Sequence, residues 1–423
     1  MADTKIFSLR GRALKLDTAE DLAPHIQPLL DSTSLEEVHL EGNTLGVSAC
    51  ERLASILATK TTLKHANLAD IFTGRLLSEI PPALDALLTA LLNCPNLHTI
   101  NLNDNAFGLN TVEPLRPFLS KHTPLRHLYL NNNGLGPAAG TLVAEALEQL
   151  AARKEESRAA GSKDVPHLET VVCGRNRLET GSMAAWAKAY TANKHVRTIK
   201  MVQNGIRQEG IAALLQHGLA NCSELRVVDL QDNTFTALAS KTLGNVLPAS
   251  WPELVELAVG DCLLSARGGI ILGQALAQGK NSKIEILRLQ YNEIDTRGVK
   301  AIVEAAEHST ALPRLRRVEL NGNKFAEEDP NIEKLTELLS ARKEEKSAEY
   351  PEVDEDDEDA WGVDELDELE DEDSEDEGSE AEEDDEEEKI VKDADAAESE
   401  PVNQVKDKEI DDLADALGKT ELK

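Results

Sequence analysis

Leucines and one asparagine recur in a fixed pattern through most of the chain. One complete copy contains Leu125, Leu128, Leu130, Asn133 and Leu135. Leu128 and Leu130 flank a single residue that must face the opposite side, and this period of two predicts a short β-strand. The stretch 136–150 that follows has apolar residues at helical spacing. Each copy therefore predicts one strand followed by one helix.

The asparagine position marks successive copies of the pattern. It is filled by Asn43, Asn105, Asn133, Asn176, Asn204, Asn233, Asn292 and Asn323. Ile71 and Cys262 replace it in two copies, and a degenerate copy covers residues 7–14. Spacings of 28 to 31 residues from Asn176 onward are typical of long leucine-rich repeats.

Stacking of such repeats determines the fold class. About eleven copies predict an α/β leucine-rich repeat solenoid, a horseshoe with a parallel β-sheet on the concave face and helices on the convex face. The buried asparagine amides are expected to bond backbone groups of neighbouring repeats. Residues 151–166 form an insert, which we interpret as a helix extension and a loop.

A second irregularity lies at residues 69–75, where the asparagine is missing. Ile71 and Asn105 are 34 residues apart, which is longer than the other regular spacings. The extra length predicts an enlarged loop at the rim of the sheet, at the carboxyl ends of the strands. It contains Phe72, Thr73, Gly74 and Arg75.

Charge divides the chain into two parts. The formal net charge is -34, yet residues 347–423 hold 37 acidic and 6 basic side chains. We therefore predict a repeat domain at 1–346 and an acidic, largely disordered tail at 347–423. An acidic tail disfavours nucleic acid and acidic membranes as partners. The N-terminus shows no signal-peptide pattern, and no apolar run has the length of a membrane span.

Motifs for catalysis or metal binding are missing from the sequence. Five cysteines form no C-x-x-C pair, so we expect buried free thiols, and the ten histidines show no metal-ligand spacing. Gly418-Lys419-Thr420 resembles a phosphate-binding loop, but Leu413 stands where that loop needs glycine. The sequence predicts no enzyme, no cofactor and no metal, but a surface for a protein partner.

A resemblance to a known family is carried by segments 70–75, 79–81, 104–108, 128–134, 173–177, 201–206 and 230–236. They resemble the family of GTPase-activating proteins for the nuclear-transport GTPase Ran. The similarity covers residues 1 to about 345 and extends to the acidic tail, where the chain ends as the fungal members do. It implies a regulator that acts on GTP-bound Ran in the cytoplasm, alone or with a Ran-binding protein. Separately, we expect a monomer, because the first and last repeats cap both ends and the sequence shows no self-complementary apolar patch. GTP and Mg²⁺ would belong to Ran.

The resemblance also implies a mechanism. Members of this family are understood to order the catalytic glutamine of the GTPase instead of inserting an arginine finger. By motif position Asn132 would touch that glutamine, and Arg75 would help to bind and order the partner. The expected partner surface comprises Phe72, Thr73, Gly74, Arg75, Tyr129, Asn131, Asn132, Arg175, Gln203 and Asp232.

Two other classes of protein share some of these features. An acidic-tailed leucine-rich protein that holds histones is the alternative, but the loop at residues 72–75 has no role in it. A scaffold like the ribonuclease inhibitor shares the repeat length but predicts many more cysteines. The GTPase activator therefore explains more of the sequence than either alternative.

Overall fold

The computed structural model describes residues 4–354, 357 and 359–370. Strands and helices alternate along this part of the chain. The strands are β1 (Ile6–Ser8), β2 (Lys15–Leu16), β3 (Glu37–His39), β4 (Thr44–Leu45), β5 (His65–Asn67), β6 (Thr99–Asn101), β7 (His127–Tyr129), β8 (Thr170–Val172), β9 (Thr198–Lys200), β10 (Val227–Asp229), β11 (Glu256–Ala258), β12 (Ile286–Arg288), β13 (Arg317–Glu319) and β14 (Gly362–Val363).

The helices follow the strands in the predicted order. They are α1 (Ala19–Leu22), α2 (Gln27–Asp31), α3 (Val47–Leu57), α4 (Ile80–Leu91), α5 (Val112–Lys121), α6 (Gly136–Ala159), α7 (Glu179–Ala192), α8 (Gln208–His217), α9 (Thr236–Ser250), α10 (Ser265–Leu276), α11 (Thr296–Glu307) and α12 (Pro330–Lys346). Among the described residues, no helix combines the length and the apolar character needed to cross a membrane.

One parallel sheet contains twelve of the strands, in the order β1-β3-β5-β6-β7-β8-β9-β10-β11-β12-β13-β14. The short strands β2 and β4 pair separately. Each of the eleven predicted repeats supplies one strand of the large sheet, and β14 is the twelfth. The central residue of each three-residue strand points into the core, as Leu128 does in β7, where it is fully buried. The predicted leucine-rich repeat solenoid is confirmed.

The buried asparagines form a ladder that joins the repeats. Asn133 donates from Nδ2 to the carbonyl of Leu102 in the preceding repeat (3.0 Å) and to that of Leu130 in its own (2.9 Å). Its Oδ1 accepts the backbone N–H of Asn105 (3.0 Å). Each amide thereby satisfies backbone groups that the turn removes from strand pairing. The predicted role of these asparagines is confirmed.

The cysteines lie in the same core. All five are buried and unpaired, as predicted. Cys262 occupies a ladder position, where its thiol contacts the carbonyl of Leu230 (Sγ to O, 3.4 Å) and its backbone N–H donates to Oδ1 of Asn292 (3.0 Å). Burial raises the pKa of the Cys173 thiol to about 12. These thiols therefore serve packing, because a protonated buried thiol is unreactive.

The insert continues helix α6 as predicted. The helix extends to Ala159 and carries Lys154, which is 2% exposed. Its Nζ donates to the carbonyls of Leu125 (2.5 Å) and Pro166 (2.7 Å). Burial, followed by the nearby Arg158 and Arg126 charges, lowers the pKa of Lys154 to about 7. Lys154 ties the loop after α6 to Leu125, at the start of the same repeat.

The packed body extends beyond residue 346, where the sequence analysis placed the boundary. Strand β14 adds to the sheet beside β13, and Trp361 is 5% exposed. Asp364 accepts the backbone N–H groups of Leu320 (2.7 Å) and Asn321 (3.0 Å). This acidic segment closes the sheet because Val363 and the leucines that follow it pack on the core. Residues 371–423 of the predicted tail lie outside the described residues.

The ladder leads to a prediction about stability. Asn204 donates to the carbonyls of Cys173 and Met201 and accepts from the N–H of Asn176. We expect Asn204→Ala to lower the free energy of unfolding by about 2–4 kcal/mol, because it leaves several buried backbone groups without partners. Urea denaturation measures the change. Replacing the exposed neighbour, Gln203→Ala, should cost less than about 0.5 kcal/mol, and equal losses in the two variants would contradict the prediction.

Lys154 leads to a prediction about pH. The unfolded chain holds the lysine proton up to about pH 10.5, whereas the folded chain releases it near pH 7. Between these values the unfolded state binds more protons, so folding stability rises with pH. From pH 7 to pH 9 the wild type should gain on the order of 2 kcal/mol relative to Lys154→Met. Denaturation curves at both pH values measure the difference. The prediction is refuted if the free energy of unfolding changes equally with pH in the two proteins.

Candidate functional site

In each of the ten repeats after the degenerate first copy, one residue adopts a left-handed backbone conformation at the same place. It immediately precedes the ladder position, with φ between 47° and 74°. We call this set the rim row: Gly42, Asp70, Asp104, Asn132, Arg175, Gln203, Asp232, Asp261, Tyr291 and Gly322. This conformation is uncommon for residues other than glycine. Hydrogen bonds between repeats impose this conformation. The backbone N–H of Asn132 donates to the Gly174 carbonyl (2.9 Å), and that of Arg175 donates to the Val202 carbonyl (2.8 Å).

Asn132 is exposed on this row, with its amide held in one orientation. Its Nδ2 donates to Oδ1 of Asp104 in the preceding repeat (2.9 Å). A carboxylate can only accept hydrogen bonds, so the amide nitrogen must face Asp104 and the amide oxygen must face away. That oxygen accepts no hydrogen bond within the described part of the chain. The site therefore presents a fixed acceptor at the edge of the sheet.

Three other predicted residues share the rim row with Asn132. Arg175 and Gln203 are exposed, and Asp232 is half-buried. Burial raises the pKa of the Asp232 carboxyl, and the neighbouring Asp261 raises it further. The structure therefore brings these four predicted residues together along one edge, one strand spacing of about 4.8 Å apart.

Tyr129 and Asn131 lie beside this edge, but they differ in how far their side chains are available to a partner. Tyr129 ends strand β7 on the concave face and is half-buried. The Asn131 side chain is already engaged, since its Oδ1 accepts the N–H of Gly174 (2.6 Å). Its backbone N–H donates to Oδ1 of Asn103 (2.8 Å). Asn131 thus links three consecutive repeats and offers less to a partner than the sequence analysis expected.

The enlarged loop is anchored at its start by Phe72. The ring is 3% exposed and lies 6.4 Å from the ring of Phe107, measured between centroids. This corrects the expectation that Phe72 offers its ring to a partner, because the apolar ring is buried in the core. Thr73 and Gly74 are exposed as predicted, and the Thr73 hydroxyl donates to Asp70 (2.5 Å).

Arg75 is held by the N-terminal repeats. Its Nη1 donates to Asp17 (2.5 Å), its Nε to the Thr44 hydroxyl (2.8 Å) and its Nη2 to the Thr44 carbonyl (2.9 Å). The side chain is 8% exposed. Hydrogen bonding to Arg75 lowers the pKa of the Asp17 carboxyl. The guanidinium therefore fastens the loop to the repeats before it.

The structure does not bring Arg75 and Asn132 together. Arg75 reaches Thr44 in the repeat of strand β3, whereas Asn132 follows strand β7. Three strand spacings separate those repeats, a distance of roughly 14 Å. That distance is within the width of one protein–protein interface, but the Arg75 guanidinium is bonded to Asp17 and Thr44 and, in this conformation, is not free to contact a partner. The reason is the carboxylate of Asp17, which draws the guanidinium toward the N-terminus.

Sequence reasoning missed three acidic members of the rim row. Asp70, Asp104 and Asp261 occupy the same position as Asn132 in their own repeats. The signal was available, because each of them directly precedes a ladder residue. Asp104 matters most, since it alone among these three orients the Asn132 amide.

A family model agrees with the class that the fold indicates. A family model described as "Leucine Rich repeat" matches residues 280–303. Among solved structures, an internalin from Listeria monocytogenes is 16% identical with a TM-score of 0.45, and 74% of each chain is covered. The repeats, the sheet and the ladder define a leucine-rich repeat protein.

Relatives of known name define the family more narrowly. The chain is 38% identical over 338 residues to "Ran GTPase-activating protein 1" of Saccharomyces cerevisiae, covering 79% of this chain and 82% of that protein. It is 33% identical over 325 residues to "Ran GTPase-activating protein" of Drosophila melanogaster, covering 76% of this chain and 52% of that protein. The chain belongs to the family of Ran GTPase-activating proteins.

The Arg75 contacts lead to a prediction about the loop. Arg75→Ala removes three hydrogen bonds, one of them the charged bond to Asp17, so the backbone of residues 72–79 should exchange its amide hydrogens at least about tenfold faster. Hydrogen-exchange mass spectrometry of the loop peptides measures this. Ser78→Ala, an exposed residue of the same loop, serves as the control. Unchanged exchange in Arg75→Ala would show that the guanidinium contacts do not hold the loop.

Proposed function

We propose that this chain stimulates GTP hydrolysis by Ran in trans. The observation that carries the proposal is the 38% identity to the yeast protein of that name, which extends over 82% of its length. Ran in its GTP-bound form would be the partner, alone or with a Ran-binding protein. The nucleotide and Mg²⁺ would come with the GTPase, and this chain would bring no cofactor. We further propose that the protein acts as a monomer in the cytoplasm.

Asn132 is the residue that we propose contacts the catalytic glutamine of the partner. Its exposed amide oxygen can accept a hydrogen bond from the amide nitrogen of that glutamine. The glutamine would then be fixed in the orientation that aligns the attacking water. Because Asp104 already holds the Asn132 amide, little conformational freedom would be lost when the two amides meet.

Arg75 has a positioning role in this proposal. Its guanidinium bonds Asp17 and Thr44 and is almost fully buried, so it supplies no charge to the nucleotide in this conformation. It instead fixes the loop in which Thr73 and Gly74 are exposed and Leu76 and Leu77 are 67% and 64% exposed. Such exposed apolar side chains on a fixed loop favour contact with a protein partner.

The charge of the rim row supports a basic partner surface. Asp70, Asp104, Asp232 and Asp261 carry carboxylates along this edge, and Arg175 is the one basic residue among the members of the row. A line of like charges steers an oppositely charged partner toward the edge and makes association depend on ionic strength. This contribution affects the rate of encounter more than the hydrolysis step.

Asn132 provides the direct test. Asn132→Ala removes the amide that orients the glutamine, so we expect stimulated hydrolysis to fall by about 100-fold or more. Asp104→Ala should lower it less, since the amide remains but can rotate. Single-turnover hydrolysis by GTP-loaded Ran, with saturating protein, measures both effects.

A matched control separates this role from general loss of structure. Asn245→Ala removes another exposed amide, on helix α9 and outside the rim row, and should retain full stimulation. Unchanged stimulation by Asn132→Ala would refute the role of Asn132. If the wild-type chain itself failed to accelerate hydrolysis by Ran, the proposed function would be wrong.

A further inference from the structure

A cluster of metal-binding side chains lies on the concave face, away from the rim row. Glu37 and His39 are on strand β3, and His65 is on the adjacent strand β5. Glu37 and His65 are direct partners in the parallel register, while Glu37 and His39 are two residues apart and share a face. All three side chains are half-buried. The sheet therefore brings one carboxylate and two imidazoles to one point.

The distances suit a single ion. One ligand atom from each of the three side chains lies within 4.8 Å of the others. Nε2 of His39 is 2.9 Å from Oε2 of Glu37, and the two imidazole rings are 5.3 Å apart between centroids. Zinc bonds of about 2.0–2.2 Å to nitrogen and oxygen place tetrahedral ligands roughly 3.3 Å apart. Side-chain rotations that move the ligand atoms by about 1 Å would therefore bring them to the spacing of a tetrahedral zinc site.

A second carboxylate, that of Glu41, lies near the other ring nitrogen of His39. Nδ1 of His39 lies 3.9 Å from Oε1 of Glu41, which also pairs with Arg10 (3.2 Å). The other carboxylate oxygen of Glu41 is buried and accepts no hydrogen bond within the described residues. Histidine ligands usually donate their second ring N–H to such a carboxylate, which fixes the ring for the metal. When Nε2 binds an ion, Nδ1–H would face Glu41.

Other histidine pairs on the chain lack this arrangement. The rings of His98 and His127 lie 6.3 Å apart, and those of His167 and His195 lie 3.9 Å apart. In the part of the chain that the structure describes, only the Glu37 group provides three ligand atoms at mutual distances of 4.8 Å or less. The His98 pair thus offers a comparison on the same face of the sheet.

We propose that Glu37, His39 and His65 bind one divalent transition-metal ion of the zinc type. Two imidazoles and one carboxylate favour Zn²⁺, Co²⁺ or Ni²⁺ over Mg²⁺ and Ca²⁺, which prefer oxygen ligands. Three protein ligands leave the fourth position of a tetrahedral ion open toward the concave side. The ion would also join strands β3 and β5. This site is independent of the proposed action on Ran.

Titration with Co²⁺ tests the site in the full-length chain. Excess Mg²⁺ in the buffer occupies weak carboxylate sites, including those of the acidic segment. We expect one equivalent of Co²⁺ to bind with the visible absorption of a tetrahedral nitrogen–oxygen site and without a thiolate charge-transfer band. Zn²⁺ should displace it, and calorimetry with Zn²⁺ should give the same stoichiometry.

Variants assign the ligands. His65→Ala and Glu37→Gln should each abolish stoichiometric binding, whereas His98→Ala should bind as the wild type does. Glu41→Gln should weaken binding by about 10–100-fold. Circular dichroism verifies folding, and His65→Gln replaces any His65→Ala protein that fails to fold. The proposal is overturned if the wild type takes up no Co²⁺ in excess Mg²⁺, or if the folded His65 variant binds as tightly as the wild type.

Discussion

The asparagine ladder is the interaction on which the rest of the structure depends. A turn in every repeat removes backbone groups from the strand ladder, and a single amide side chain supplies their partners in two repeats at once. Burial of leucines provides most of the favourable free energy of such a core. The amides determine something different, namely the register in which one repeat lies on the next. Without that register, neither the sheet nor its edge would be regular.

The rim row follows directly from the ladder. At each ladder position the preceding residue turns the backbone through the left-handed region, also where Ile71 or Cys262 replaces the asparagine. Asn132 therefore owes its exposure to Asn133, and its orientation to Asp104 in the repeat before it. The candidate site contains no reactive group of its own. It offers the carboxamide of Asn132 in a fixed position, because hydrogen bonds hold this residue to the repeats before and after it.

Features set within one repeat were predictable from the sequence. The period of two predicted the strands, the asparagine spacing predicted the ladder, and the position next to Asn133 predicted an exposed Asn132. The insert near Lys154 was also predicted as a helix extension. Each of these depends on residues a few positions apart in sequence. Within one repeat, the position of a residue in the pattern determines its place in the fold.

Particular contacts between residues of different repeats were not predictable. Arg75 is bonded to Asp17, which lies 58 residues away in sequence. Glu37 and His65 meet only because two strands share a register, so their sequence spacing carries no metal signal. The strand at Gly362–Val363 was hidden within an acidic run, although Trp361 interrupts that run and marks the start of a buried segment. Pairing across the stack, not local pattern, determines all three.

The uniform conformation of the rim row has a consequence for how this scaffold can change. Because neighbouring repeats dictate the backbone there, the identity of the side chain is largely released from the demands of folding. Glycine, aspartate, asparagine, glutamine, arginine and tyrosine all occupy equivalent places. A different set of side chains at the eight positions that are not glycine would give a new recognition edge on the same core, so evolution or an engineer can revise it one residue at a time.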